Sequence, residues 1–267
     1  FRGYGVPQGT WAVERHLEFI ANKLGLDPVA FRLKNAIRPG ELHPFSTAWS
    51  EGREPQPEII HTVGLEACVS QAKAMIGWDQ KYANTSWREV PGKPYLKKGI
   101  GMSLAMHGTA IPYLDMGGAS IKLNDDGSFN LLIGATDLGT GSDTILAQMA
   151  AEILGTSIKE MIVYSSDTDF TPFDKGAYAS STTYVSGNAV LDAANKVKAS
   201  IRRAAAALFE IDEELVEVTD GCVKNLQNGK TLTFAELCTL CFYGANQHQI
   251  CETGSYVGDE SPIPFMA

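Results

Sequence analysis

The chain has 267 residues, 44% of them hydrophobic and 20% charged, an ordinary globular composition that excludes disorder and a fibrous repeat. Its 31 acidic and 22 basic side chains leave a net charge of −9, which favours neither nucleic acid nor an anionic membrane surface, and no apolar run is long enough to span a bilayer. The five cysteines are scattered, as expected for a protein of the reducing cytoplasm without a disulfide framework, and the five histidines are too dispersed for a metal site.

In chain order, Val13, Leu17, Ile20 and Leu24 share one face of a helix over residues 11–24, and Gly25 follows as its C-cap. Asp27-Pro28 starts a second helix, to about Ile37. A proline-rich surface connection fills 38–62, and a third helix runs from about Thr62 to Ile76. Past a linker at Pro91-Gly92-Lys93-Pro94 the pattern turns to strands, expected at 97–108 and 117–124. Asp126-Gly127 marks a hairpin before the alternating Phe129, Leu131 and Ile133. A glycine-rich loop, 134–141, feeds a helix over 142–154. Met161–Tyr164 is a short strand, and a Ser/Thr-rich loop over 165–186 leads into a long helix carrying Val190, Ala194, Val197, Ile201, Ala204 and Leu208. Asn228-Gly229 is a late hairpin or turn and 250–258 a final strand; Cys238-x-x-Cys241 belongs to a short buried helix and not to a metal site. The expected class is α+β, with a mainly helical segment 1–92 and an α+β unit 93–267. The abrupt start at Phe1 and the apolar end at Ala267 suggest an excised piece or one subunit of a split protein.

Three segments carry the chemistry. Gly134-Ala-Thr-Asp-Leu-Gly139-Thr140-Gly141-Ser142-Asp143-Thr144 lies between a strand and a helix, where backbone N–H groups and the helix dipole favour an anion. It is neither a P-loop, which needs Lys where Thr140 stands, nor a dinucleotide fingerprint, which needs Gly where Thr144 stands. On its own it is as often structural. Tyr178-Ala-Ser-Ser-Thr-Thr183 enters the next helix with small hydroxyl residues that admit a close backbone approach and offer donors and acceptors, or simply cap the helix. Phe1-Arg2-Gly3-Tyr4-Gly5 sets a permanent cation between two aromatics, suited to an anionic centre beside a planar substrate, or else is a packed turn.

In this order and spacing the three segments resemble the molybdenum hydroxylase family, which includes xanthine dehydrogenase, aldehyde oxidase and nicotinate dehydrogenase. The likeness extends from FRGYGVPQ through LKNAIRPGEL, GGASIKLNDDGS and GATDLGTGSDT to DTDFTPFDKGAYASSTTYVSGNAV. It implies two α/β units with mixed sheets and packed helices, forming part of the molybdopterin-binding domain of a larger enzyme. By the same resemblance Arg2 stands beside the molybdenum as its catalytic electrostatic partner, Phe1 and Tyr4 flank the substrate, and Thr109 and Ala110 fall in the substrate pocket. Ala179 faces the metal without ligating it, while Gly139, Thr140, Gly141, Ser180, Ser181 and Thr182 contact the cofactor. Thr140 replaces the glutamine common in relatives, and Tyr178 is bulkier than the usual small residue. Neither the family's G-E-x-P-like glutamate motif nor its G-G-x-F-G-x-K-like loop is found in these residues.

The implied activity is hydroxylation of an electron-poor carbon in a purine- or nicotinate-like N-heterocycle, or of an aldehyde, with water as the oxygen source. The cofactor would be molybdenum–molybdopterin, bare or, more in keeping with a split organisation, as the cytosine dinucleotide; [2Fe–2S] clusters and FAD would reside on partner domains or subunits. The chain alone is expected to be inactive. Two other readings stand beside this one: a cofactor-free scaffold of the same family that mediates subunit pairing, and a phosphate- or nucleotide-binding module built on the two strand-to-helix loops.

Overall fold

The computed structural model describes residues 5–44, 46, 54, 57–244 and 247–261, and the backbone of 265–266. Among these, contacts divide the chain after Gly108 into two units, the C-terminal strand Phe265–Met266 belonging with the first.

In the first unit, α1 (Val6–Lys23) starts before the expected residue 11, because Pro7 sits in the first turn, where its missing N–H leaves nothing unpaired. α2 (Pro28–Asn35) is capped as expected, the Val29 N–H donating to Asp27 Oδ1 at 2.8 Å. α3 (Leu65–Ile76) ends on left-handed Gly77, and the chain turns there into α4 (Trp78–Ala83), a short helix with no periodic signal of its own. Arg32, 5% exposed, ties α2 to α1 by donating to the Glu14 carboxylate at 2.7 Å, the Glu14 carbonyl at 2.9 Å and Glu18 at 3.3 Å. With the Pro28 carbonyl, accepting at 3.0 Å, four acceptors for one buried guanidinium offset its desolvation. The strand expected over 97–108 is corrected to the two residues of β1 (Ala105–Met106), paired antiparallel with Phe265–Met266. Ile100, Met102 and Leu104 instead pack on Val29, Leu65, Val69 and Trp78, so residues 93–108 join the helical unit although the Pro/Gly linker precedes them.

The second unit, Thr109–Ser261, contains β2 (Met116–Leu123), β3 (Phe129–Ile133), α5 (Ser142–Leu154), β4 (Met161–Ser165) and α6 (Thr182–Phe209). There follow β5 (Val216–Thr219), β6 (Cys222–Asn225), β7 (Thr231–Thr233), α7 (Phe234–Tyr243) and β8 (Cys251–Val257). The main sheet has the order β4-β3-β2-β8, with β3 and β4 parallel and the other pairs antiparallel. Its alternating residues Ala119, Ile121, Leu123, Phe129, Leu131 and Ile133 are fully buried in one cluster with α5 and α6. A Cβ on Gly254 would stand 2.4 Å from the Ala189 carbonyl and the Ala193 nitrogen, so only glycine lets α6 lie this close to β8. The loop expected to reach Ser186 ends earlier: α6 starts at Thr182, and Ser186 and Gly187 are buried within it. The small sheet β5-β6-β7 has strands of three or four residues, too short to give a periodic signal; the hairpin or turn expected at Asn228-Gly229 joins β6 to β7. Cys238 and Cys241 are buried in α7 as expected, and burial first, then the neighbouring Cys241, pushes the Cys238 thiol up to about 12.

Candidate functional site

Strand register brings the candidate segments of the second unit to one sheet edge. Ile133 pairs with Ser165 in the parallel ladder, Ala119 opposes Ile133, and Met116 opposes Val257. The C-terminal ends of β3, β4 and β8 and the start of β2 therefore lie together, and from them emerge 134–141, 166–181, 258–261 and 109–115. α5 and α6 both begin at this edge, where a mixed or parallel sheet presents its loops and helix N-termini to a ligand. Two of the loops are knitted directly. Ser165 Oγ donates to Asp143 Oδ2 at 3.0 Å, and a Cβ on Gly134 would stand 2.4 Å from the Pro172 carbonyl and 2.6 Å from Asp174 Cβ.

The glycine-rich loop wraps around its own aspartate. Asp137 Oδ1 accepts the backbone N–H groups of Gly139 (2.8 Å), Thr140 (2.9 Å) and Gly141 (3.1 Å), and Oδ2 that of Asp143 (3.3 Å). Desolvation acts to raise the Asp137 carboxyl but is outweighed by these N–H groups, which hold it below the usual carboxylate range. The sequence expectation of free amides is thereby corrected: an internal anion already sits in the nest. What the loop leaves open is space, since Gly139 and Gly141 adopt φ of 88° and 77° and a Cβ on either would meet nothing within 4 Å.

On the other side of the edge the backbone is strained. Ala110, Tyr113, Ala179 and Ser180 have φ of 65°, 59°, 49° and 56°, left-handed conformations that side-chain-bearing residues rarely adopt. The Ala110 N–H donates to the Ala179 carbonyl at 2.8 Å, joining two segments that the sequence reading assigned to different roles. Thr109 N–H donates to Ser261 Oγ at 3.1 Å. Ser181, 4% exposed, turns its hydroxyl back to the Tyr178 carbonyl at 2.8 Å, and Ser180 is exposed. Thr182 is the first residue of α6.

Thus Thr109, Ala110, Gly139, Thr140, Gly141, Ala179, Ser180, Ser181 and Thr182 share one edge of the second unit. Phe1, Arg2 and Tyr4 lie outside the described residues. Sequence reasoning missed Asp115, which is 1% exposed and bonds both loops, Asp137 within the glycine loop and Asp143 in the first turn of α5. Asp137 could have been found from its place two residues before the glycines, a common Asx-turn position. Asp115 could not, because its partner Tyr178 is 63 residues away.

The residues fit a pterin better than a free phosphate. Asp143 leaves Oδ1 buried with no hydrogen-bond donor, an unmet acceptor of the kind that a pterin's N–H groups satisfy and a phosphate would repel. Small residues at 110, 139, 141, 179 and 180 leave room for a flat heterocycle to approach the backbone.

A mixed sheet with two helix N-termini and a strained, small-residue rim at one edge defines an α+β cofactor-cradle domain. The family model for the molybdopterin cofactor-binding domain matches residues 71–265, and a second model of the same description matches residues 1–36. The chain belongs to this molybdopterin cofactor-binding family, and the resemblance to molybdenum hydroxylases drawn from its ordered motifs holds. It is 35% identical over 211 residues to the putative xanthine dehydrogenase molybdenum-binding subunit XdhA of Escherichia coli K12, covering 78% of this chain and 26% of that protein. It is 31% identical over 270 residues to the probable hypoxanthine oxidase XdhD of the same organism, covering 100% of this chain and 27% of that protein. The reconstituted CO dehydrogenase from Oligotropha carboxidovorans has the same fold, with a TM-score of 0.73 at 23% identity over 97% of this chain and 33% of that one. The chain spans about a quarter of the length of the curated relatives it matches.

Proposed function

We propose that the protein carrying this chain is a molybdenum-dependent hydroxylase or dehydrogenase that oxidises an N-heterocycle of purine or nicotinate type, or an aldehyde, with water as the oxygen source. One observation carries the reading: the small left-handed residues Ala110, Ala179 and Ser180 gather at the same sheet edge as the open Gly139–Gly141 loop. The names of the relatives quoted above favour a purine among these substrates. Gly139, Thr140, Gly141, Ser180, Ser181 and Thr182 would hold the pterin. Because Asp137 takes the loop amides, the glycines would contribute close approach and not N–H donors. Ser181, whose proton is directed to Tyr178, would act as an acceptor. Ala179 would face the metal with a side chain too small to ligate or block it. When bound, the molybdenum–pterin group supplies the two-electron oxidation. Arg2 would stabilise negative charge developing beside it, and Phe1, Tyr4, Thr109 and Ala110 would line the substrate. The cofactor form is the bare pterin or its cytosine dinucleotide, with [2Fe–2S] and FAD on partner domains or subunits in the cytoplasm. Among the described residues no helix is long and apolar enough to cross a membrane.

The test is molybdenum and pterin analysis of the complete enzyme, combined with Arg2→Ala. We expect stoichiometric cofactor, and turnover in the variant lower by about a hundredfold or more with folding stability unchanged. Unchanged turnover would remove Arg2 from the mechanism. A second reading, the cofactor-free scaffold, is favoured by one fact, Asp137's occupation of the loop amides, and predicts an intact complex without pterin.

A further inference from the structure

The residues that hold the strained rim in place lie one layer behind it. Asp115 is 1% exposed, and its carboxyl is bonded at both oxygens: the Tyr178 hydroxyl donates to Oδ1 at 2.5 Å and the Ile111 N–H to Oδ2 at 2.8 Å. The Asp115 carbonyl accepts the Gly258 N–H at 3.2 Å, and the Gly258 carbonyl accepts the Tyr113 N–H at 2.6 Å. With the Ala110 N–H on the Ala179 carbonyl, these bonds close a ring through residues 110–115, 178–179 and 258. Four of the left-handed residues at this edge, Ala110, Tyr113, Ala179 and Ser180, lie in this ring or next to it. A buried carboxyl is retained only when its oxygens are satisfied, and strained backbone persists only where its surroundings over-determine it. Tyr178, bulkier than the residue usual at its position in relatives, turns its hydroxyl back to Asp115.

We propose that Asp115 and the Tyr178 hydroxyl are positioning groups for the cofactor, locking the 110–113 and 178–181 loops in the strained geometry that presents Ala179 and Ser180 to the pterin. This rests on the molybdopterin reading above. Neither residue is a catalytic one; both act through the backbone that they hold.

The experiment uses the complete enzyme, produced in a host that makes the cofactor. Tyr178→Phe removes one hydroxyl from a half-exposed ring and so keeps the fold, and Asp115→Asn is the second variant. Thr233→Ala is the control: it breaks a helix-capping box elsewhere in the unit and lowers stability without touching the rim. Molybdenum and pterin content per protein, and the rate of pterin release on dilution, are measured beside the thermal midpoint. Loss of one buried hydrogen bond should speed release by about tenfold in Tyr178→Phe, while Thr233→Ala releases at the wild-type rate. Equal release from Tyr178→Phe and wild type, or equal loss from Tyr178→Phe and Thr233→Ala, overturns the positioning role. Wild-type enzyme that contains no molybdenum–pterin instead overturns the functional reading on which the role rests.

Discussion

The two ends of α5 differ in how much of their left-handed backbone falls on residues other than glycine. At its C-terminal end the tight, left-handed positions are mostly glycines, Gly127, Gly155 and Gly221, and they line a cavity of about 850 Å³. At its N-terminal end, about 20 Å away by helix rise, Gly139 and Gly141 are left-handed too, but so are five residues that carry side chains, Ala110, Tyr113, Ser166, Ala179 and Ser180. Glycine would relieve the strain at those five positions, so its absence from them says that their side chains, or the stiffness they impose, are wanted. The cavity is lined by Asp126, Glu152, Glu160 and Asp220 with no lysine or arginine, a poor seat for an anionic group.

The comparison can be broken most forcefully at Gly134. Its Cβ would meet the Pro172 carbonyl at 2.4 Å, so Gly134→Ala should destabilise the unit by about 3 kcal/mol, whereas Gly221→Ala, which meets nothing within 4 Å, should lose only about 1 kcal/mol to its positive φ. Denaturant midpoints of the two variants measure the difference, and equal losses would mean that the loops at the site end are not locked together. A smaller and more pointed effect is expected from relieving strain. Ala179→Gly should raise stability by about 1 kcal/mol yet lower cofactor retention; Glu210→Gly, at the left-handed C-cap of α6, should raise stability similarly and leave retention alone. If both raise stability and neither alters retention, the strain at 179 is incidental.

The smallest expected effect concerns Asp137. Its folded carboxyl is held below its unfolded value, so the stabilisation is complete above the unfolded value of about 3.9 and is lost as pH falls through the folded one. Asp137→Asn should therefore flatten the dependence of the thermal midpoint on pH below about 4 and leave the slope above it unchanged. A variant that keeps the wild-type acid slope would show that the four amides do not hold the charge.

The sequence by itself determined the elements whose signals are local. Alternation over 119–123 and 129–133 gave the core strands, helical spacing from Val190 to Ala204 gave α6, and Asp27-Pro28 gave a capped helix start, because burial of one face and satisfaction of end N–H groups are read within a few residues. The ordered motifs gave the family. Tertiary structure decided what depended on partners distant in sequence or on too few residues to show a period. It shortened the 97–108 strand to two residues by packing that segment's apolar side chains on helices, and it built a three-stranded sheet from strands too short to announce themselves. It also put Asp137 in its own loop's nest and joined Asp115 to Tyr178. Loop conformation and a buried carboxyl's partner are chosen by the whole set of competing hydrogen bonds, and most of that set does not exist until the chain has closed on itself.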